Sequence, residues 1–135
     1  MDAIAALFGR SFGTLEFLPR LHTAEEDREH LAGVVRDQDV WVAKEGDRVV
    51  GFLALEGDHG TFFYVDPHAQ TRGHGSGLFA EAQRARPTGF DFWVFQANER
   101  ARRFYETRGC VAVEFTDGAG NEEKTPDVRY EWKPT

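Results

Sequence analysis

Residues 60 to 79 read Gly60-Thr61-Phe62-Phe63-Tyr64-Val65-Asp66-Pro67-His68-Ala69-Gln70-Thr71-Arg72-Gly73-His74-Gly75-Ser76-Gly77-Leu78-Phe79. Thr61 to Val65 are β-branched or aromatic, the composition of a strand. Pro67 has no N–H to give to a ladder, so the strand should end near Asp66. Gly73, Gly75 and Gly77 follow at every second position, and Leu78, Phe79 and Ala82 resume at helical spacing. The stretch is strand, glycine-rich turn, helix.

Such a turn suits an anion. Glycines let a ligand approach the main chain, and the first N–H groups of a helix have no intrahelical partner. With the helix dipole they favour a phosphate, and Arg72 and a protonated His74 would add charge. The P-loop pattern needs a Gly-Lys-Ser/Thr ending, and no lysine lies between Lys44 and Lys124. The dinucleotide pattern Gly-x-Gly-x-x-Gly fails from Gly73, where Leu78 takes the third glycine's place. From Gly75 it ends at Ala80, which fits only its looser form. The pattern Gln/Arg-x-x-Gly-x-Gly/Ala fits without a gap over Gln70 to Gly75.

A second stretch, residues 90 to 110, combines an apolar run from Phe90 to Phe95 with Asn98-x-x-Ala101-x-x-Phe104-Tyr105-x-x-x-Gly109. With both motifs in this order, the chain resembles the GNAT superfamily of N-acetyltransferases. The resemblance spans roughly residues 22 to 132 by order of elements and is most specific over 61 to 109.

The resemblance implies a function: acetyl transfer from acetyl-CoA to an amine, by direct attack on the thioester. It assigns the pyrophosphate to the turn of Gln70, Arg72, Gly73, His74, Gly75, Ser76 and Gly77. The backbone at Tyr64 and Val65 is expected to pair with the pantetheine arm and to polarise the thioester carbonyl. Tyr105 is expected to be the general acid that protonates the leaving thiolate, and Asn98, two helical turns earlier, to contact the coenzyme's amides. Read without the resemblance, Asn98 is a helix cap and Tyr105 a half-buried aromatic.

The base is less evident. The strand from 61 to 65 holds no Glu, Asp or His, so Glu56, Asp58 and His59 in the preceding turn, and Tyr64, are the candidates, with proton loss through ordered water as the alternative. A non-catalytic acetyl-CoA-binding or sensing module on the same fold is the second reading. An unrelated nucleotide-binding protein is the third.

The 135 residues suit a single N-acetyltransferase domain over 1–135. Net charge is −7, yet residues 70 to 108 hold seven arginines against four acids. An anionic coenzyme on this basic segment and a cationic acceptor on the acidic remainder fit that division. A low pI argues against nucleic acid as a partner. No apolar run is long enough for a membrane span. A single cysteine precludes an internal disulfide and fits the cytoplasm. No Cys/His cluster has zinc spacing, and no metal is expected. The acceptor is a small amine or a peptide or protein amine, and the state a monomer or a homodimer paired through the final strands.

Around the motifs, the fold class is α+β with a mixed, mostly antiparallel sheet, one splayed parallel pair and flanking helices. Residues 2 to 8 read as helix, and residues 11 to 22 as an acceptor-side loop. The superfamily's usual first strand is expected to be truncated here. The box Thr23-Ala24-Glu25-Glu26 should start a helix at 24. Val40–Ala43 and Val49–Leu55 read as strands joined by a turn at 45–47, and residues 56 to 60 as a second turn. Gly75 to Arg86 is helical. Phe90–Phe95 should be a strand buried on both faces. Val111–Phe115 and Val128–Trp132 close the chain, with a polar loop over 117–127. Trp41, Trp93 and Trp132 read as core, and Cys110 as a small buried apolar residue.

Overall fold

The computed structural model describes residues 24–66, 69 and 73–134. The expectations for residues 1 to 22, including the truncated strand, lie outside the described residues.

Helix α1 (Ala24–Asp37) leads into strands β1 (Asp39–Glu45), β2 (Arg48–Glu56) and β3 (His59–Val65). Helix α2 (His74–Ala85) crosses to β4 (Phe90–Phe95). Helix α3 (Glu99–Glu106), β5 (Val111–Phe115) and β6 (Asp127–Trp132) complete the chain. The strands form one sheet in the order β1-β2-β3-β4-β6-β5. Only β3 and β4 pair in parallel; the other neighbours are antiparallel. The α+β expectation of a mostly antiparallel sheet with one parallel pair holds.

Alternation along the strands divides the side chains between two faces. Leu53, Leu55, Phe63, Phe92 and Val94 join Leu78, Phe79 and Ala82 of α2 and Tyr105 of α3 in the main core. On the other face Leu31 of α1 packs with Phe52, and Phe62 and Tyr64 lie against them. Asn98 caps α3, its Oδ1 accepting from the Ala101 N–H at 3.2 Å, and the helix stops where Gly109 takes φ 84.

Three expectations are corrected. The turn after β2 is two residues, not five: Gly57 takes φ 58, which closes a tight hairpin, so Glu56 and His59 pair across it and β3 begins at His59. Strand β4 is not buried on both faces. Phe90, Phe92 and Val94 are buried, but the alternate face is open, since α1 packs over β1 and β2. Trp93 therefore is not core and is 40% exposed. The polar loop over 117–127 stands where expected, and side chains tie it down: Asn121 Nδ2 donates to the Thr125 carbonyl at 2.7 Å, and Gln96 Nε2 donates to the carbonyls of Thr116 and Asp127 at 2.9 Å each.

Candidate active site

Strands β3 and β4 are held together at one end only. Their register pairs are His59 with Asp91 and Gly60 with Phe92; toward Val65 and Phe95 the two strands share no further register pair, each keeping its ladder to β2 or β6. A bulge begins at this point. Ala54 pairs with Phe62 and Leu55 with Gly60, so Thr61 is the extra residue in β3. Its hydroxyl donates instead to Gln38 Oε1 at 2.5 Å. The bulge bends β3 away from β4 and exposes backbone groups that a flat sheet would have paired.

The opening between the strands is a cavity of about 150 Å³. Thr61 to Tyr64 form one wall and Trp93 to Phe95 the other, while Asn98 and Tyr105 reach it from α3. The sequence places these groups by separate devices: the cap fixes Asn98 at the helix start, and Tyr105 lies two turns on along the same helix. Phe92 fixes the Tyr105 ring, with centroids 4.4 Å apart, and Phe63, Phe79 and Tyr130 surround it. Burial first, then the neighbouring Cys110 and Tyr64, push the Tyr105 hydroxyl well above the usual tyrosine range. It therefore keeps its proton at neutral pH and can only donate it. Burial likewise raises the Cys110 thiol to about 12, so it is not a nucleophile at neutral pH.

The glycine turn stands beyond the open end of the strands. Gly73 is the residue before α2 and takes φ 82, a left-handed conformation suited to glycine. No side chain caps α2 there, and no acid lies in its first turn. The N–H groups of that turn are thus offered to an anion. Ser76 accepts a hydrogen bond from Arg108 of the α3 terminus. His74 Nε2 lies 2.9 Å from Glu45 Oε2 on β1, so its imidazole is engaged by a carboxylate. Gln70 and Arg72 lie outside the described residues.

The structure brings Tyr64, Asn98 and Tyr105 to one cavity and sets Gly73, His74, Gly75, Ser76 and Gly77 at one helix start. Val65 follows at the open end of β3. Glu56 and His59 do not line the cleft. His59 lies beside its closed end, with Nδ1 2.8 Å from Asp91 Oδ1, and Asp91 Oδ2 accepts from Arg129 at 3.0 Å. Two residues were missed by sequence reasoning. Trp93 faces the cleft, which strict alternation from buried Phe92 would have shown. Arg108 meets the glycine turn, and its place three residues after Tyr105 was the available signal.

Residues 36–109 match the model of the acetyltransferase (GNAT) domain family. The peptidyl-lysine N-acetyltransferase YjaB of Salmonella typhimurium is 30% identical over 110 residues, covering 80% of this chain and 74% of that protein. The solution structure of apo YjaB from Escherichia coli superposes with a TM-score of 0.72 at 27% identity, covering 95% of this chain and 87% of that one. The PaiA N-acetyltransferase of Thermoplasma acidophilum, in complex with coenzyme A, matches with a TM-score of 0.76 at 19% identity, over 98% of this chain and 92% of that one. At that identity the likeness is one of fold.

Proposed function

We propose that this chain, which belongs to the GNAT family of acetyltransferases, moves the acetyl group of acetyl-CoA onto a lysine amine of a peptide or protein. That it is an acetyl-CoA-dependent N-acetyltransferase follows from the family. The acceptor class and the residue roles are our reading. The peptidyl-lysine activity of the Salmonella relative supports the acceptor, and the acidic balance outside residues 70 to 108 suits a cationic one.

The observation that carries the residue roles is the half-paired β3–β4 seam with Tyr105 at its cavity. The pantetheine arm enters between the strands where they part, its amides bonding to backbone near Tyr64 and Val65 on the side away from β2. An N–H there polarises the thioester carbonyl. The amine nitrogen bonds to the carbonyl carbon, the carbon–sulfur bond breaks and Tyr105 gives its proton to the departing sulfur, while the nitrogen sheds one proton to water, from which Tyr105 is reprotonated. Asn98 keeps its capping oxygen occupied and offers its amide N–H to the arm. The pyrophosphate rests on the first turn of α2 beside His74, and the sequence motif assigns Gln70 and Arg72 to the same group.

The amine must arrive neutral. For a lysine this costs about 4.6 kcal/mol at pH 7. His59, next to cleft-lining Gly60 and held by Asp91, is better placed than exposed Glu56 to take that proton through water. One sheet carries every described strand, which supports a single domain over 1–135. No described helix is long and apolar enough to cross a membrane. The single cysteine, free and buried, supports a cytoplasmic location. The homodimer reading rests on β5, an edge strand whose Val111 is 61% and Phe115 58% exposed.

The test is thermal unfolding with acetyl-CoA, ATP or NAD, followed by thiol release with lysine peptides and small amines. A rise of several degrees with acetyl-CoA alone, and thiol release that requires a lysine peptide, are expected. No shift at millimolar acetyl-CoA overturns the coenzyme site. Release with small amines but not peptides overturns the acceptor.

A further inference from the structure

Arg108 follows α3 by two residues, in the turn before Gly109, beside the first turn of α2, and is half-buried. Its guanidinium carbon lies 3.5 Å from the centre of the Phe104 ring, a close cation–π stack. Nη1 donates to the Phe104 carbonyl at 3.0 Å and to Thr107 Oγ1 at 3.2 Å, and Nη2 donates to Ser76 Oγ. The side chain is thus held in one place. Among the described residues it has no carboxylate partner, unlike Arg48 with Asp66, Arg86 with Asp39 or Arg129 with Asp91.

A cation fixed in place, reached by solvent at its Ser76 bond and with no carboxylate beside it, is available to an anion. Guanidinium has five N–H donors. The bonds above use three, leaving Nε–H and the second proton of Nη2 among the described residues. Ser76 accepts from Arg108, so its own hydroxyl proton is directed elsewhere. Ser76 is on the uncapped first turn of α2, where backbone N–H groups already face an anion. Every unspent donor in this cluster has the same ligand preference.

We propose that Arg108 and Ser76 form a phosphate clamp that joins α3 to the glycine turn and binds a phosphate of the coenzyme. This rests on the acetyl-CoA reading above and adds to it a charge outside the glycine motif. Stacking on Phe104 fixes the guanidinium plane before the ligand arrives, so little side-chain entropy remains to be lost on binding. The clamp also ties phosphate recognition to the helix that carries Tyr105.

Calorimetric titration of the full chain with coenzyme A tests this, using wild type, Arg108→Met and Arg108→Lys. Methionine keeps the apolar stem over Phe104 and removes the charge; lysine restores the charge without the fork. Arg108→Met should weaken binding about ten- to thirtyfold, and lysine should recover part of the loss. With 3′-dephospho-coenzyme A, a loss that persists assigns the clamp to the pyrophosphate, and a loss that vanishes assigns it to the 3′-phosphate; each supports the clamp. Unfolding midpoints without ligand show that the variants fold. Undiminished binding by Arg108→Met overturns the clamp alone, as does Arg108→Lys binding no better than Arg108→Met. A wild type that binds no coenzyme A overturns the coenzyme reading itself.

Discussion

Gly75 and Phe104 meet: a Cβ on residue 75 would stand 3.4 Å from Cε2 of the Phe104 ring. The two sequence motifs, 29 residues apart in the chain, are thereby one wall. A methyl group fits there in ordinary contact, but a longer side chain must displace the ring or project over the helix start. Gly75→Ala should fold and keep the acetyl-CoA-induced rise in melting temperature. Gly75→Glu should lose it, because a carboxylate would occupy and repel the anion position. An undiminished shift in the glutamate variant would remove the first turn of α2 from the site.

Tyr105→Phe separates packing from chemistry. The ring is kept among Phe92, Phe63 and Phe79, so the unfolding midpoint should move little. The proton donor is lost, and kcat should fall by about a hundredfold or more while KM for acetyl-CoA changes little. Unchanged kcat would make Tyr105 a core residue.

Asn98 has two uses that Asn98→Asp and Asn98→Ala can divide. Aspartate caps as well as asparagine, so Asn98→Asp should leave stability nearly intact while weakening coenzyme binding through the lost amide donor. Asn98→Ala should lose both the cap, at about 1 kcal/mol, and the contact. Equal coenzyme affinity in wild type and Asn98→Asp would leave only the cap.

The sequence motifs placed Tyr105 and Asn98 on one helix because spacing and capping are local rules. What escaped them was long-range. The run from Glu56 to Gly60 is polar enough for a turn of any length, and only the register with β2 shows that His59 is already strand. Trp93 looked like core from composition, but which face of β4 is covered depends on where α1 packs. The polar 117–127 segment was read as a loop, correctly, yet its order comes from Asn121, Thr116 and Gln96 finding backbone and Asp127 partners. Arg108 lay in view as one of seven arginines; its bond to Ser76 required the fold.

Asp66 closes β3 with a fully buried side chain, and Arg48 Nη2 donates to its Oδ2 at 2.9 Å. Its own N–H donates to the Val50 carbonyl at 2.7 Å. Asp66→Ala empties a buried position and releases Arg48, whose exposed side chain returns to water. It should cost about 1–3 kcal/mol, read as a fall of a few degrees in the unfolding midpoint. A neutral outcome would mean that the end of β3 is held by backbone bonds alone.

Alkaline pH should destabilise the protein in a definite window. Cys110 is raised from 9.0 to about 12 by burial, and Tyr105 is raised from 10.0 in the same way. Above about pH 9 the unfolded chain releases these protons while the folded chain keeps them; the unfolded chain binds fewer, and stability falls as pH rises. Denaturant midpoints from pH 8 to 11 should drop, and Cys110→Ala should flatten the slope most between about pH 10 and 11, midway between the two thiol values. An identical slope in that variant would show that the thiol is not the source.

Among the described residues, β3 and β4 share two register pairs, at His59 and Gly60, and the His59–Asp91 side-chain contact ties the same corner. Mechanically the sheet is two three-stranded plates sewn at one corner, with helix α2 as the strap that crosses the seam. Amide hydrogen exchange along Thr61 to Val65 and Trp93 to Phe95 should therefore run ahead of that in the interior of β2. A molecule lying in the notch would complete the stitching. Occupancy would then register as a stiffening of the whole plate pair, measurable in amides that no ligand touches.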